Sequence, residues 1–143
     1  MSKKFKATKQ LTIHAPLAIV WKALTDPAML KQYFFGTDLH TSWQPGTPIR
    51  FTGEWEGTPY EDKGTVLQYE AEKRLQYDYL SSWSGEADVP ENYQLITYRV
   101  QPKGKGTLLT ITQSRIDTLE KKIHSMQSWG MLMQNLKALV ERG

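Results

Sequence analysis

The sequence predicts an α+β fold of order β-α-α-β6-α, a curved seven-stranded antiparallel sheet wrapped around one long C-terminal helix. Three observations lead there. Between Thr37 and Ile116, six runs rich in β-branched and aromatic residues follow one another with short turns. Strands joined so tightly pair antiparallel, because a parallel pair needs a long crossover. Leu119 to Arg142 then steps apolar residues by three and four, and a face that wide must cover a sheet. Ahead of the six runs, one alternating strand is followed by two short amphipathic helices.

Each element has its own reason. In Lys4–His14, Phe5, Ala7, Leu11 and Ile13 share one parity while Lys4, Lys6, Thr8, Gln10 and Thr12 share the other, the period of a half-buried strand. Lys3, Lys4, Lys6 and Lys9 read as its solvated basic face. Pro16 suits a first helical turn, and Leu17, Val20, Trp21 and Leu24 form one apolar stripe. Asp26 caps a second helix with Pro27 at its first position; Met29, Leu30, Tyr33 and Phe34 face inward, and Gly36 ends it. Strands are expected near 37–43, 48–55, 60–69, 74–83, 92–101 and 107–116, split by Pro45-Gly46, Glu56-Gly57, Glu70-Ala71-Glu72, Gly85 to Asn92 and Pro102 to Gly106. Thr118 or Asp117 can cap the last helix, about 36 Å long at 1.5 Å per residue. Its stripe is Leu119, Ile123, Met126, Gly130, Met133, Leu136 and Val140, widened by Trp129, Leu132 and Leu139.

Length and composition narrow the function. At 143 residues one domain is expected, large enough to bury a core without staples. The chain has no cysteine, which excludes disulfide frameworks, thiolate-held metals and thiol nucleophiles. No apolar run reaches the roughly 18 residues of a spanning helix. The basic start, Met1 to Lys6, lacks the hydrophobic stretch of a secretory signal, so a cytoplasmic location is expected. The net charge of +3 comes from 18 basic against 15 acidic residues, too balanced and too scattered for a nucleic-acid surface. Sixteen aromatic residues, five of them tryptophan, are the compositional oddity, and some have room to line a cavity.

Reaction machinery is not evident. His14, His40 and His124 fit no metal-ligand spacing, so no metal is expected. Asp38 and His40 share a strand face and read as a surface pair. Ser81-Ser82 and Ser84 lack a nucleophile elbow. Pro102 to Thr107 lacks the phosphate-loop spacing and precedes a strand, so it is a hairpin turn. Glu54, Glu56, Glu61, Asp62, Glu70 and Glu72 fall mostly at turns and offer no convincing acid–base pair. No catalytic residue and no cofactor is assigned.

His14-Ala15-Pro16 through Val20-Trp21, Leu24-Thr25 and Asp26-Pro27 resembles the opening signature of the START-like (SRPBCC) superfamily. Gly64-Thr65-Val66-Leu67, Arg74-Leu75-Gln76-Tyr77 and the ending Trp129 to Glu141 are similar to its later segments. Together they resemble the branch named after the activator of heat-shock protein ATPase, over nearly the whole chain. The resemblance implies a helix-grip fold over residues 1–143, with a cavity between the long helix and the sheet that takes lipids, sterols, polyketides or hormones, or in a minority of members does cyclisation. Fold does not choose among these. The separate N-terminal domain of the eukaryotic activator, thought to stimulate the chaperone, has no counterpart in this sequence. Pro45-Gly46-Thr47-Pro48 also replaces the family's Gly-Gly.

The leading expectation is a binding module for a small hydrophobic or aromatic ligand. Strand parity and the helix stripe nominate Phe51, Trp55, Tyr77, Tyr79, Trp83, Met126, Trp129 and Met133 as cavity lining. Arg99, in the parity of Leu95 and Thr97, could meet a ligand anion; the opposite parity, Ile96, Tyr98 and Val100, is equally apolar. Gln113, in register with Leu109 and Ile111, could add a hydrogen bond. The plainer account of each aromatic is core. A chaperone or other protein partner and homodimer formation are the alternatives, with Met131 as an apolar marker on the polar side of the helix. A cyclase- or hydrolase-like enzyme ranks last.

Overall fold

The computed structural model describes residues 4–142; Lys3 of the expected basic face and Gly143 lie outside them. The elements are β1 (Phe5–Ile13), α1 (Leu17–Thr25), α2 (Pro27–Tyr33), β2 (Asp38–Thr41), β3 (Pro48–Trp55), β4 (Thr58–Glu70), β5 (Arg74–Tyr79), β6 (Gln94–Lys103), β7 (Gly106–Ile116) and α3 (Leu119–Arg142). All seven strands join one antiparallel sheet in the order β1-β7-β6-β5-β4-β3-β2. β2 to β7 are a meander, and β1 returns beside β7. α3 lies on the inner face, the helix-grip arrangement.

Local chemistry sets the joints. The Asp26 carboxylate accepts from Ala28 N–H (3.1 Å) with Pro27 behind it, and the Tyr33 hydroxyl donates back to the Ala23 carbonyl (2.9 Å), bracing α2 on α1. Glu56 and Gly57 both carry positive φ (50° and 82°), so the β3–β4 hairpin turns in two residues. A bulge marked by Arg115 (φ 66°) shifts register, so that Gln113 faces Ala7 while Ile116 faces Phe5. The extra residue lets both Gln113 and Ile116 point inward, which simple alternation forbids. Thr118 caps α3 by accepting from Lys121 N–H (3.1 Å).

The core joins Ile13, Ile49, Val66, Leu75, Ile96, Leu109 and Ile111 of the sheet to Leu132, Met133, Leu136 and Val140 of α3. Each fully buried side chain of this size contributes about 1.5–3 kcal/mol.

Five expectations are corrected. β2 stops at Thr41, because Trp43 turns to φ 62°, donates its indole N–H to the Thr25 carbonyl (2.9 Å) and stacks on Tyr69. β5 ends at Tyr79 rather than near residue 83. Lys9 is not on the solvated face: its parity is inward, and its stem lies against Gly130 under α3. The α3 stripe is buried only in its C-terminal half, for Leu119 (55% exposed) and Ile123 (49%) stand in solvent. Asp38 and His40 likewise do not pair; Asp38 binds Lys31 (2.9 Å), and His40 bonds the Thr52 hydroxyl (2.9 Å).

Candidate functional site

The inner face of the sheet carries a connected run of rings. Phe34 stacks on Phe51 (5.9 Å), Phe51 meets Tyr77 (5.5 Å), Tyr77 meets Tyr98 edge-on (6.1 Å), and Tyr98 meets Trp129 of α3 edge-on (5.9 Å). Tyr79 packs edge-on against Phe51 (6.0 Å). The strands place them: Phe51, Tyr77 and Tyr98 share the inward parity of β3, β5 and β6, and each is at least 97% buried.

Burial governs the phenols. Tyr33 and Tyr77 ionise well above the ordinary range, chiefly because their phenolates would be desolvated, with neighbouring Tyr98 adding to it. Tyr98 is pushed up to about 12 by burial. Tyr79 is raised by burial and then by the Asp62 carboxylate. These hydroxyls are neutral and not suited to proton abstraction near neutral pH; those of Tyr33 and Tyr79 already donate to the Ala23 carbonyl and the Asp62 carboxylate, while those of Tyr77 and Tyr98 face each other at 3.4 Å.

A polar chain leads out of this interior. Trp129 Nε1–H donates to Gln113 Oε1 (2.8 Å), and Gln113 Nε2–H donates to Gln94 Oε1. Gln94 then borders an open groove of about 470 Å³, walled by Ser81, Trp83, Ser84 and Glu86 on one side. The first turns of α3 supply the other wall with Glu120, Lys121, His124 and Ser125. The volume lies in the ordinary range of ligand sites, about 300–1,000 Å³.

The groove's loop wall is tied to β4 at both ends. Asp62, opposite Phe51 and 8% exposed, accepts from Tyr79 Oη–H (2.8 Å), Ser82 N–H (2.8 Å) and Ser82 Oγ–H (3.0 Å). Lys63 pairs with Asp88 (2.5 Å), which also accepts from Tyr93 Oη–H (2.6 Å). A second depression, about 330 Å³ between Lys63, Asp78, Asp88 and Tyr93, has polar walls already bonded to one another and offers a ligand little. Among the described residues, no three His, Asp or Glu side chains are placed to share a metal ion.

Comparison with known proteins fits this geometry to a lineage. The family model described as activator of Hsp90 ATPase homolog 1-like protein matches residues 14–141. The chain belongs to that family. A family resemblance of higher identity comes from the solution structure of ChR145 from Cytophaga hutchinsonii, 37% identical, covering 99% of this chain and 97% of that one with a TM-score of 0.86. The Aha1 dimer from Colwellia psychrerythraea is 17% identical, covers 96% of each chain and has a TM-score of 0.74. CalU16 from Micromonospora echinospora, also 17% identical, covers 96% and 84% with a TM-score of 0.74. The last two show the shared fold alone. No curated protein matches the chain.

Within this activator-like frame, the residues nominated from sequence separate into three groups. Phe51, Tyr77, Tyr79, Gln113, Trp129 and Met133 come together between sheet and helix, and Met126 lies half-buried on the inward side of α3. Arg99 does not: it is exposed, pointing away from the helix, while Ile96, Tyr98 and Val100 face in. The register decides this, because Tyr98 pairs with inward Ile111 and Ile96 with inward Gln113. Trp55 (60% exposed) has the parity of Phe51 but sits where the β3–β4 hairpin outruns the core. Trp83 (57% exposed) is beyond the end of β5, so the parity of Tyr77 and Tyr79 never reaches it; it lines the groove from the loop.

Tyr98, Asp62, Gln94, Glu120 and His124 were not nominated. Tyr98 had a signal, its alternation with Ile96 and Val100. Asp62 had none, since only the cross-strand register sets it beside Phe51.

Proposed function

We propose that this chain is a small-molecule binding protein whose apolar or aromatic ligand is received between α3 and the sheet. The reading rests on one observation above all. Gln94, at the border of the groove beside the N-terminal half of α3, is hydrogen-bonded through Gln113 to Trp129 at the edge of the ring-lined inner face. Exposure of Leu119 and Ile123, where the C-terminal half of the helix stripe is buried, fits a helix end that yields to an entering molecule. Met126 and Met133 supply adaptable walls. The lack of cysteine supports a reducing, cytoplasmic setting, and among the described residues no helix is long and apolar enough to cross a membrane.

Native mass spectrometry of protein purified from its own host tests the reading. A stoichiometric small molecule released on denaturation is the expected result. A bare protein mass, together with unchanged tryptophan emission across a panel of aromatic compounds, overturns it.

A second reading is docking to another chain, a chaperone or a second copy. It is favoured by Leu119 and Ile123, one helical turn apart and exposed, with Met131 (58% exposed) further along. The Colwellia psychrerythraea relative was solved as a dimer. Light scattering over a concentration series decides it: a mass that doubles and falls back in Ile123→Glu supports a homodimer, and a monomer throughout removes it.

A further inference from the structure

We propose that the groove beside α3 takes a neutral polyhydroxylated group, a sugar ring, carried by the aromatic ligand, so that the preferred ligand is an aromatic glycoside. This rests on the binding function proposed above and names the chemistry of its outer half.

The inner face and the groove are made of different material. Inside, rings touch rings and the polar atoms are mostly satisfied by one another. In the groove, the carboxylates of Glu86 and Glu120 and the imidazole of His124 have no protein partner among the described residues. Trp83 stands 57% exposed beside them, supported by Tyr60 with ring centres 6.4 Å apart. Unpaired carboxylates accept hydrogen bonds strongly, and an indole offers a flat apolar surface. A pyranose ring presents both complements, outward hydroxyl donors and a face of C–H bonds.

Charge removes the main alternatives. Glu86 and Glu120 oppose a phosphate, sulfate or carboxylate. The groove's lysine, Lys121, already pairs with Asp117 (3.2 Å). Arg99, the cation that sequence parity offered to an anionic ligand, faces the other way. A metal-bridged ligand is also disfavoured, because Glu86, Glu120 and His124 are not placed to share an ion. The order of chemistry then sets the orientation: aglycone toward Trp129 and Tyr98, sugar between Trp83 and Glu120.

The test compares three probes, 2-naphthol, 2-naphthyl β-D-glucopyranoside and 2-naphthyl phosphate, by titration calorimetry against the whole chain. The glucoside is expected to bind about tenfold more tightly than the naphthol, the ratio that one or two net hydrogen bonds give, and the phosphate more weakly than the glucoside. Trp83→Ala and Glu120→Ala, both at exposed positions, should remove most of the tenfold difference between glucoside and naphthol. Naphthol binding with no gain from the sugar, a phosphate that binds best, or a gain that survives both substitutions overturns the glycoside and leaves the binding function standing. Failure of all three probes overturns both.

Discussion

Asp62 and Lys63, neighbours on β4, hold opposite ends of the loop that walls the groove. Alternation along a strand sends Asp62 inward to Tyr79 and Ser82 and Lys63 outward to Asp88. Between them, the backbone of Lys63 bridges Leu80 in both directions (3.2 and 2.8 Å). The wall is therefore held to β4 by a single antiparallel bridge and two side-chain anchors.

The two anchors should differ in what their loss does. Asp62→Ala leaves the mostly buried Tyr79 hydroxyl without an acceptor and should cost about 1–3 kcal/mol in denaturant unfolding. Lys63→Ala breaks an exposed pair and should leave stability nearly unchanged. It should nonetheless speed hydrogen exchange at Asn92 and Tyr93. Equal stability losses in the two variants would contradict the inward and outward assignment.

Two glycines should respond with opposite sign to alanine. A Cβ on Gly64 would sit 1.8 Å from the Asp78 carbonyl oxygen, so Gly64→Ala must push β4 off β5. A loss above roughly 2 kcal/mol, or failure to fold, is expected. In α3 a Cβ on Gly130 meets only the Lys9 stem at 3.5 Å, ordinary contact. Gly130→Ala should stabilise by about 0.5–1 kcal/mol through helix propensity. Thermal melts of the two variants suffice.

Trp129→Ala reads the character of the ring cluster. A full core tryptophan costs about 3–5 kcal/mol. Trp129 is only half-buried, held by Gln113 and Tyr98 at the inner end of the polar chain, so the loss should fall below that range. Trp129→Phe keeps the ring contact and removes the N–H donor, and should cost less again. A Trp129→Ala loss within the core range would make the ring structural rather than ligand-facing.

Alkali and acid should weaken different parts of the fold. Tyr33, Tyr77, Tyr79 and Tyr98 ionise later in the folded chain than in the unfolded one. Their contribution is whole below pH 10 and is lost as pH rises toward about 12, the value reached by Tyr98. Glu141 is shifted the other way, first by the His14 backbone N–H and then by Lys137. What it adds is present above the ordinary value of 4.5 and lost as pH falls through its lowered one. Phenolate absorbance lagging behind that of the unfolded chain, until unfolding releases it, checks the alkaline limb. The acid limb is checked by acid titration of Glu141→Gln, whose stability should lack the part that Glu141 loses as it takes up its proton.

The sequence by itself determined the elements, their order and the caps. Hydrophobic period, Asp26-Pro27, Glu56-Gly57 and Thr118 act within a few residues, and local geometry decides them. Most of the inner face was legible too, since Phe51, Tyr77, Trp129 and Met133 follow parity and helical spacing. Tertiary structure alone decided the rest. Whether Arg99 or Tyr98 faces the helix depended on the register against β7, because both parities of β6 are apolar enough to be buried. Trp83 left the sheet because Asp62, on another strand, captures Ser82 and draws the chain away. Leu119 and Ile123 belong to a good helical stripe, yet burial needs a facing surface, and they have none at the open end of α3. Lys9 shares the inward parity of Ala7 and Leu11, but only the packing of α3 set its stem beneath Gly130. Contacts between residues far apart in sequence made the groove, and no local pattern encodes such contacts.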